Sequence, residues 1–480
     1  MLEDSGEPTH TEAVYDARSL GWVKMGVLGV QHMFAMFGAT ILVPMLTGLS
    51  TSATLLFAGV GTLVFHYATK RIVPAFLGSS FAYLAGYFAM TEGLCGTVGY
   101  ETFQKSTGLQ YACLGVAASS LVYFAVAAFV KLSGAKTVMR FIPPVVTGTI
   151  IIGIGLVLSP AALNSCGECW PVAMVAIVSV ALFTVSGQGM FKIIPILMGV
   201  AFSYSAAIVL GYFGIAKAID YSGVAEAAWV GLPFRWSDTV FPLLKSPDAG
   251  LVVNALVVIV PLSFATIMEH VGDMSAISST VGRNFFKSPG LHRTLFGDGL
   301  ATFVASLFGA PANTTYGENT GVLSLSRVYD PRVIRIAAVL AILVSFCPKF
   351  SAFIGTMPQA TMGGVSLVLY GMISVVGVRN LVDAKVDLGR SRNMLVAAVI
   401  LVLTLGITFS EAKAVHFALG SIKFTMSGIA AGALMGIVAN AVLPGKDYSF
   451  AEPDAETGGA DRADVGATEG QGGALDGRQA

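Results

Sequence analysis

Charge is what this sequence has least of. Asp, Glu, Lys and Arg make up only 12% of its 480 residues, roughly half the share found in soluble globular domains. That scarcity excludes a water-soluble enzyme and a charged, disordered scaffold. The 28 basic and 28 acidic side chains cancel, so no bulk field exists to gather a nucleic acid or another polyanion. Cysteine is scarce as well, with five in the chain. Cys166 and Cys169 form a CxxC within NSCGECWP, but no second thiol pair completes a zinc site. The plainer reading is two loop cysteines, free or bridged. No metal or cofactor is implied. HExxH and GxSxG are missing, which removes the two commonest hydrolase signatures. The N-terminus has no basic stretch before a short apolar core, so no cleavable signal peptide is expected.

Apolar residues fill the space left by charge: 55% of the chain is hydrophobic and the mean hydropathy is +0.75. Lipid admits only helices and closed barrels, because every backbone polar group must be satisfied internally. Barrel strands alternate apolar and polar residues over about ten positions. The runs here do not alternate, as in 394–407 (MLVAAVILVLTLGI) and 251–264 (LVVNALVVIVPLSF). The fold class is therefore an all-α polytopic membrane protein. Apolar runs broken by charge or turn residues predict fourteen transmembrane segments, by the hydropathy logic of a spanning window. With both termini cytoplasmic, basic residues such as Lys70, Arg71, Arg283, Lys287, Arg379 and Arg390 collect in inner loops, as positive-inside orientation requires.

Two of the fourteen segments, 74–92 and 313–328, are weakly hydrophobic and rich in Gly, Ser and Thr. Their texts are related: PAFLGSSFAYLAG opens at Pro74 and PANTTYGENTGVL at Pro311. A second related pair, FIPPVVTG and TMPQATMGG, follows each of them. With seven spans between equivalents, the halves have opposite topology, a 7+7 inverted repeat. Interrupted segments at matching places in such repeats point to a transporter's midplane site.

Ionisable groups inside spans are few, so each is informative. Glu269 and Asp273 sit at i and i+4 in IMEHVGD, on one helix face. Asp298 lies in LFGDGLAT, Glu318 in TTYGENTG and His32 in GVQHMFAM. His270 points away from the Glu269 face. No Lys or Arg stands beside the acids, which disfavours an anion exchanger. The set suits a neutral ligand rich in N–H donors, or a cation. Carboxylates accept from ligand N–H groups, while free amides at half-helix starts near Phe81 and Glu318 donate to ligand carbonyls. A planar ring with alternating N–H and C=O groups fits. Ser80 is a further candidate contact, and Phe81, Tyr316 and Tyr370 offer flat apolar faces. A carboxyl withdrawn from water among other acids readily holds a proton, so Asp273, Asp298 and Glu318, with His32, are the candidates for coupling transport to a co-transported proton. Sodium is the alternative.

At these residues the chain resembles the nucleobase–ascorbate transporter (nucleobase:cation symporter) family, and within it the bacterial uracil permeases. The text that carries the resemblance is QHMFAMFGATILVP, PAFLGSSFA, EHVGD, SPGLHRTLFGDGLAT, PANTTYGENTGV and MGGVSLVLYGM. It implies uracil import by proton symport with an elevator-like motion in the bacterial cytoplasmic membrane. Xanthine, thymine or another nucleobase is the alternative cargo. It also implies short antiparallel strands in segments 3 and 10, a homodimer, and core and gate domains. The core takes 21–133 and 249–356 and the gate 134–248 and 357–445, with a cytoplasmic N-terminus at 1–20 and a disordered cytoplasmic tail at 446–480. Substrate contacts carry over to Glu269 and Glu318 and to the backbones of Phe81 and Gly317, with Tyr370 on the gate side. The family signature ENTG opens on Glu318, where purine carriers usually have Gln.

Overall fold

The structure is a computed structural model that describes residues 13–91, 105–134, 143–412, 414–419 and 422–445. Cys95, the first two residues of FIPPVVTG and the 446–480 tail lie outside the described residues. The first half contains α1 (Gly21–Thr47), α2 (Thr51–Ala68), β1 (Leu77–Ser79), α3 (Leu84–Met90), α4 (Lys105–Ser133), α5 (Pro144–Cys166), α6 (Trp170–Ser186) and α7 (Pro195–Tyr212). The second contains α8 (Ala249–Ile259), α9 (Leu262–Val281), α10 (Leu291–Leu307), β2 (Asn313–Thr315), α11 (Gly317–Ser326), α12 (Pro331–Ser345), α13 (Pro348–Gly355), α14 (Gln359–Asp383) and α15 (Ser391–Phe409). The hairpin β3 (Ala414–Leu419) and β4 (Ile422–Ser427) and the helix α16 (Gly428–Val442) complete it.

Local chemistry sets these limits. Ser50, Asp248 and Ser427 each accept a backbone N–H of the first turn they cap, and Pro occupies the first helical position of α5, α7, α12 and α13, where its missing N–H costs nothing. Gly48 and Gly282 end α1 and α9 in the left-handed conformation, the usual stop for a helix.

Among the described residues, eight helices are long and apolar enough to cross a membrane. They become nine if α12 and α13, bent by 84°, count as one span. The apolar run 332–355 predicts one continuous segment, but Pro348, which lacks an N–H and disfavours helix in the residue before it, breaks it there. The run 250–272 predicts a segment that in the structure continues to Val281, and the segment expected over 424–443 begins as strand β4, which pairs with β3. Cys166 and Cys169 are free thiols.

Helices α1, α2, α4, α10 and α12 pack together, while α5, α6, α7, α14, α15 and α16 form a second group. The closest approach in the second group is α5 against α14. A Cβ at Gly155 would collide with the Tyr370 carbonyl, and one at Gly363 would meet the Ala162 carbonyl. Only glycine lets two backbones come this close.

Strand β1 pairs antiparallel with β2 through Leu77↔Thr315, Gly78↔Thr314 and Ser79↔Asn313. Ser80 N donates to Ala312 O at 2.8 Å and Tyr316 N to Phe76 O at 3.0 Å. The offset that carries Pro74 onto Pro311 carries Leu77 onto Thr314 and Gly78 onto Thr315. Leu77 and Gly78 each pair with the equivalent of the other, and Ser79 pairs with the equivalent of Phe76, so the ladder is symmetric about its centre. In the same way, the offset that aligns Pro143 with Pro358 carries Gly155 onto Tyr370, the residue it touches.

A two-stranded ladder leaves each outer edge unpaired, which is untenable inside a membrane. Two threonines solve this. Thr62 Oγ1 on α2 accepts from Leu77 N at 2.9 Å and lies 3.2 Å from Leu77 O as a donor. Thr302 Oγ1 on α10 donates to Asn313 O at 2.9 Å and accepts from Asn313 N at 3.2 Å. Thr62→Val or Thr302→Val keeps the shape but orphans a buried backbone donor and acceptor. Each is expected to destabilise the protein by about 1–3 kcal/mol, read as a fall in thermal midpoint in detergent.

Residues just before α1 clamp the far ends of the site helices. Val14 N donates to Arg327 O at 2.9 Å and Tyr329 N to Val14 O at 2.8 Å. Tyr15 Oη donates to Val281 O at 2.8 Å, with the Arg283 guanidinium 4.5 Å above its ring. Asp330 accepts from Ala17 N at 2.8 Å and, as the N-cap of α12, from Arg332 N at 2.9 Å. Asp330→Ala removes both bonds, and a loss of about 1–3 kcal/mol is expected. The same thermal measurement checks it; an unchanged midpoint would show that the clamp is dispensable.

Candidate functional site

The strand pair holds the starts of two short helices against α9. Phe81 follows β1 and is half-buried; Gly317 and Glu318 follow β2 and open α11. The first amides of α11 have no partner within the helix, as at any helix start. Glu269 and Asp273 stand one turn apart on α9, both half-buried. Thr315 Oγ1, on β2, donates to Asp273 Oδ2 at 2.6 Å, near the short end for an O–H···O bond. It fixes the carboxylate to the strand floor. The carboxylates of Asp273, Asp298 and Glu318 all lie within electrostatic reach of Glu269.

Open space borders these faces. A Cβ added at Gly272, between the two acids of α9, meets nothing within 4 Å, and the same holds at Gly317 and Gly321 on α11. Gly371, beside Tyr370 on α14, likewise faces open space. Carboxylate acceptors on α9 and backbone donors at the start of α11 thus border a space that a flat ligand with both N–H and C=O groups can use.

The other candidates sit deeper. Ser80 is fully buried, and its hydroxyl has no hydrogen-bond partner among the described residues. Tyr370 is 1% exposed, and its hydroxyl likewise has none among them. Tyr316 is turned beneath the strands: its hydroxyl donates to Ser79 O at 2.9 Å and lies 3.3 Å from Thr40 Oγ1. The ring covers Gly78, where any Cβ would strike it. His32, fully buried on α1, takes the Asn319 amide at both ring and backbone: Asn319 Nδ2 lies 3.2 Å from His32 Nδ1 and 2.9 Å from His32 O. This ties α1 to the residue after Glu318. Asp298 is fully buried on α10, with His270 Nδ1 3.4 Å from its Oδ2.

Sequence reasoning missed three partners. Asn319 was visible as the second letter of ENTG, and Thr315 as the residue three before Glu318. His270 was set aside because its face of α9 turns away from Glu269; that face meets α10. Among the described residues, no group of three or more His, Cys, Asp or Glu side chains could hold a metal ion.

Comparisons with known proteins show the family. The profile described as "Permease family" matches residues 23–413. The chain is 39% identical over 443 residues to the uracil permease of Bacillus caldolyticus, covering 90% of this chain and 94% of that one. It is 38% identical to the probable uracil permease of Haemophilus influenzae, with 88% and 95% covered. Among solved structures, the transmembrane domain of the cyanobacterium bicarbonate transporter BicA superposes with a TM-score of 0.57 at 14% identity, covering 89% of this chain and 99% of that one. At that identity the likeness speaks for the fold alone.

Proposed function

Because this chain belongs to the xanthine/uracil permease family, and is therefore a multi-pass nucleobase permease rather than an enzyme, we propose that it imports uracil by proton symport. The observation that carries this reading is the meeting of Glu269 and Asp273 on α9 with the Glu318 helix start across one strand pair. Uracil presents N–H donors and C=O acceptors around a flat ring. Glu269 and Glu318 accept from its N–H groups, and the amides of Phe81 and Gly317 donate to its carbonyls. Ser80, Tyr316 and Tyr370 complete the surrounding wall. The relatives named as uracil permeases support this cargo.

Asp273, Asp298, Glu318 and His32 are the proposed coupling groups. Uracil moves inward together with co-transported protons, and no cofactor is called for. The fourteen-span count follows if α6, α10, α16 and the two strand–helix units are added to the nine longer spans. The symmetric ladder and the Gly155–Tyr370 contact support a 7+7 inverted repeat. The two helix groups support a core (21–133, 249–356) that moves in elevator fashion against a gate (134–248, 357–445). The basic inner loops support a cytoplasmic position for both termini, and the protein is proposed to be a homodimer.

The test is labelled uracil uptake into proteoliposomes under an imposed inward proton gradient, with and without a protonophore, in competition with unlabelled xanthine and thymine. Gradient-driven accumulation competed by uracil but not xanthine is the expected result. Absence of accumulation, with uptake restored by a sodium gradient, would replace the proton by sodium. Competition by xanthine would replace the cargo.

A further inference from the structure

Helix α9 has a second polar face that the substrate site does not use. His270 and Asp298 are both fully buried, with His270 Nδ1 3.4 Å from Asp298 Oδ2. Neither ring nitrogen and neither carboxylate oxygen has a hydrogen-bond partner among the described residues. Tyr123 Oη on α4, also buried, is unpartnered too. Buried polar atoms are almost always bonded, so a cluster of five that are not calls for a functional explanation.

The groups facing the pair are few. Tyr123 comes from α4, and Tyr83 from the turn before α3; Asp298 acts on both of them, and Asp273 acts on Asp298. Helix α2 contributes the Phe65 ring, 6.1 Å from the His270 ring and edge-on to it, rather than a charge. Tyr83 Oη is already bonded to Ser119 Oγ at 2.8 Å and lies 3.4 Å from Thr266 Oγ1. The pair is thus walled by phenols and an aromatic edge. A bare carboxylate there has only the Tyr123 phenol facing it as a donor, and a bare imidazolium lacks solvent. One proton held between Nδ1 and Oδ2 gives each group a partner, and a gap of 3.4 Å closes to hydrogen-bond length with a small side-chain rotation.

We propose that His270 and Asp298 form an internal proton site on the face of α9 adjacent to the one that bears Glu269 and Asp273, with His270 as the residue that positions Asp298. The proton arrives from water and leaves to water; no bond other than N–H or O–H is made or broken. Because His270 directly follows Glu269, loading this site is coupled through one helix to the carboxylate that faces uracil. That coupling rests on the uracil–proton reading above; the existence of the pair does not.

Two measurements on the full-length protein keep those apart. In detergent micelles, with histidines labelled with nitrogen-15 and the resonance assigned through His270→Gln, the His270 ring signals are expected to move in Asp298→Asn without any ligand. Unmoved signals would overturn the pair. In proteoliposomes, the ratio of uracil uptake rates at acid and neutral pH is expected to fall about tenfold in His270→Gln, the equivalent of one pKa unit. Adding Asp298→Asn should lower it no further, because the two residues act as one unit. An unchanged ratio, or two losses that multiply, would overturn the coupling. If Asp298→Asn does not fold, Tyr123→Phe and the His270→Gln uptake ratio decide. A protein that shows the ligand-free shift but transports no uracil upholds the pair and overturns the cargo assignment.

Discussion

Glu318→Gln is expected to abolish measurable uracil uptake while the protein still folds. Glu318 opens α11 and is half-buried beside the open space at Gly317 and Gly321. Its carboxylate accepts two hydrogen bonds where the amide of Gln accepts at one end and donates at the other. The substitution therefore sets a donor against a ligand N–H. Losing a charge-assisted bond costs about 1.5–3 kcal/mol, and the opposed donor adds a comparable penalty, so uptake falls by a factor on the order of 100 or more. The fold survives because, among the described residues, no side-chain hydrogen bond from Glu318 ties two elements together; the ladder is carried by backbone bonds and by Thr62 and Thr302. A binding titration with uracil and xanthine on the purified variant distinguishes loss from re-targeting. Normal uracil uptake would sink the assignment of Glu318 to the site.

Asp273→Asn is expected to have the second large effect, and a different one. Asn keeps an acceptor for Thr315 Oγ1, which now donates to Asp273 at 2.6 Å, so the tie between α9 and β2 persists. What disappears is a group that can gain and lose a proton. Exchange of labelled for unlabelled uracil should continue near the wild-type rate, while accumulation driven by an acid-outside gradient falls to the level seen with a protonophore. Unchanged acid-driven accumulation would remove Asp273 from the proton route.

Much of this architecture was readable from side-chain chemistry alone. Unalternated apolar runs can only be helices in lipid, and a Pro-initiated, Gly- and Ser-rich stretch between such runs can only be an interruption. Because lipid leaves no polar partner for an acid, Glu269, Asp273, Asp298 and Glu318 stood out at once. What stayed hidden was whatever depends on the meeting of distant elements. Helical periodicity shows that His270 faces away from Glu269, but not that α10 brings Asp298 to that face. Tyr316 reads as an exposed aromatic beside ENTG, yet its hydroxyl is spent on Ser79. The β3–β4 hairpin was missed because Ile422–Ser427 merges without a break into the apolar run of α16, and composition cannot separate a strand from a helix start there. The bend at Pro348 was legible in principle, since a proline after Cys347 ends one helix and starts another.

The symmetric ladder also bears on how the chain is made. Ser79 and Tyr316 are neighbours across the ladder, 237 residues apart in the chain. At about 5–20 residues per second a ribosome needs roughly 10–50 s to bridge that distance. During that interval β1 has been synthesised and its partner has not, so the first half of the protein waits with Leu77–Ser79 unpaired. It cannot settle in lipid in that condition. Nascent first halves must be sheltered, by the insertion machinery or by water at the membrane surface, until Asn313–Thr315 emerges. A stalled ribosome anywhere before Asn313 leaves a product that cannot mature, and quality-control proteases can recognise it by that bare strand.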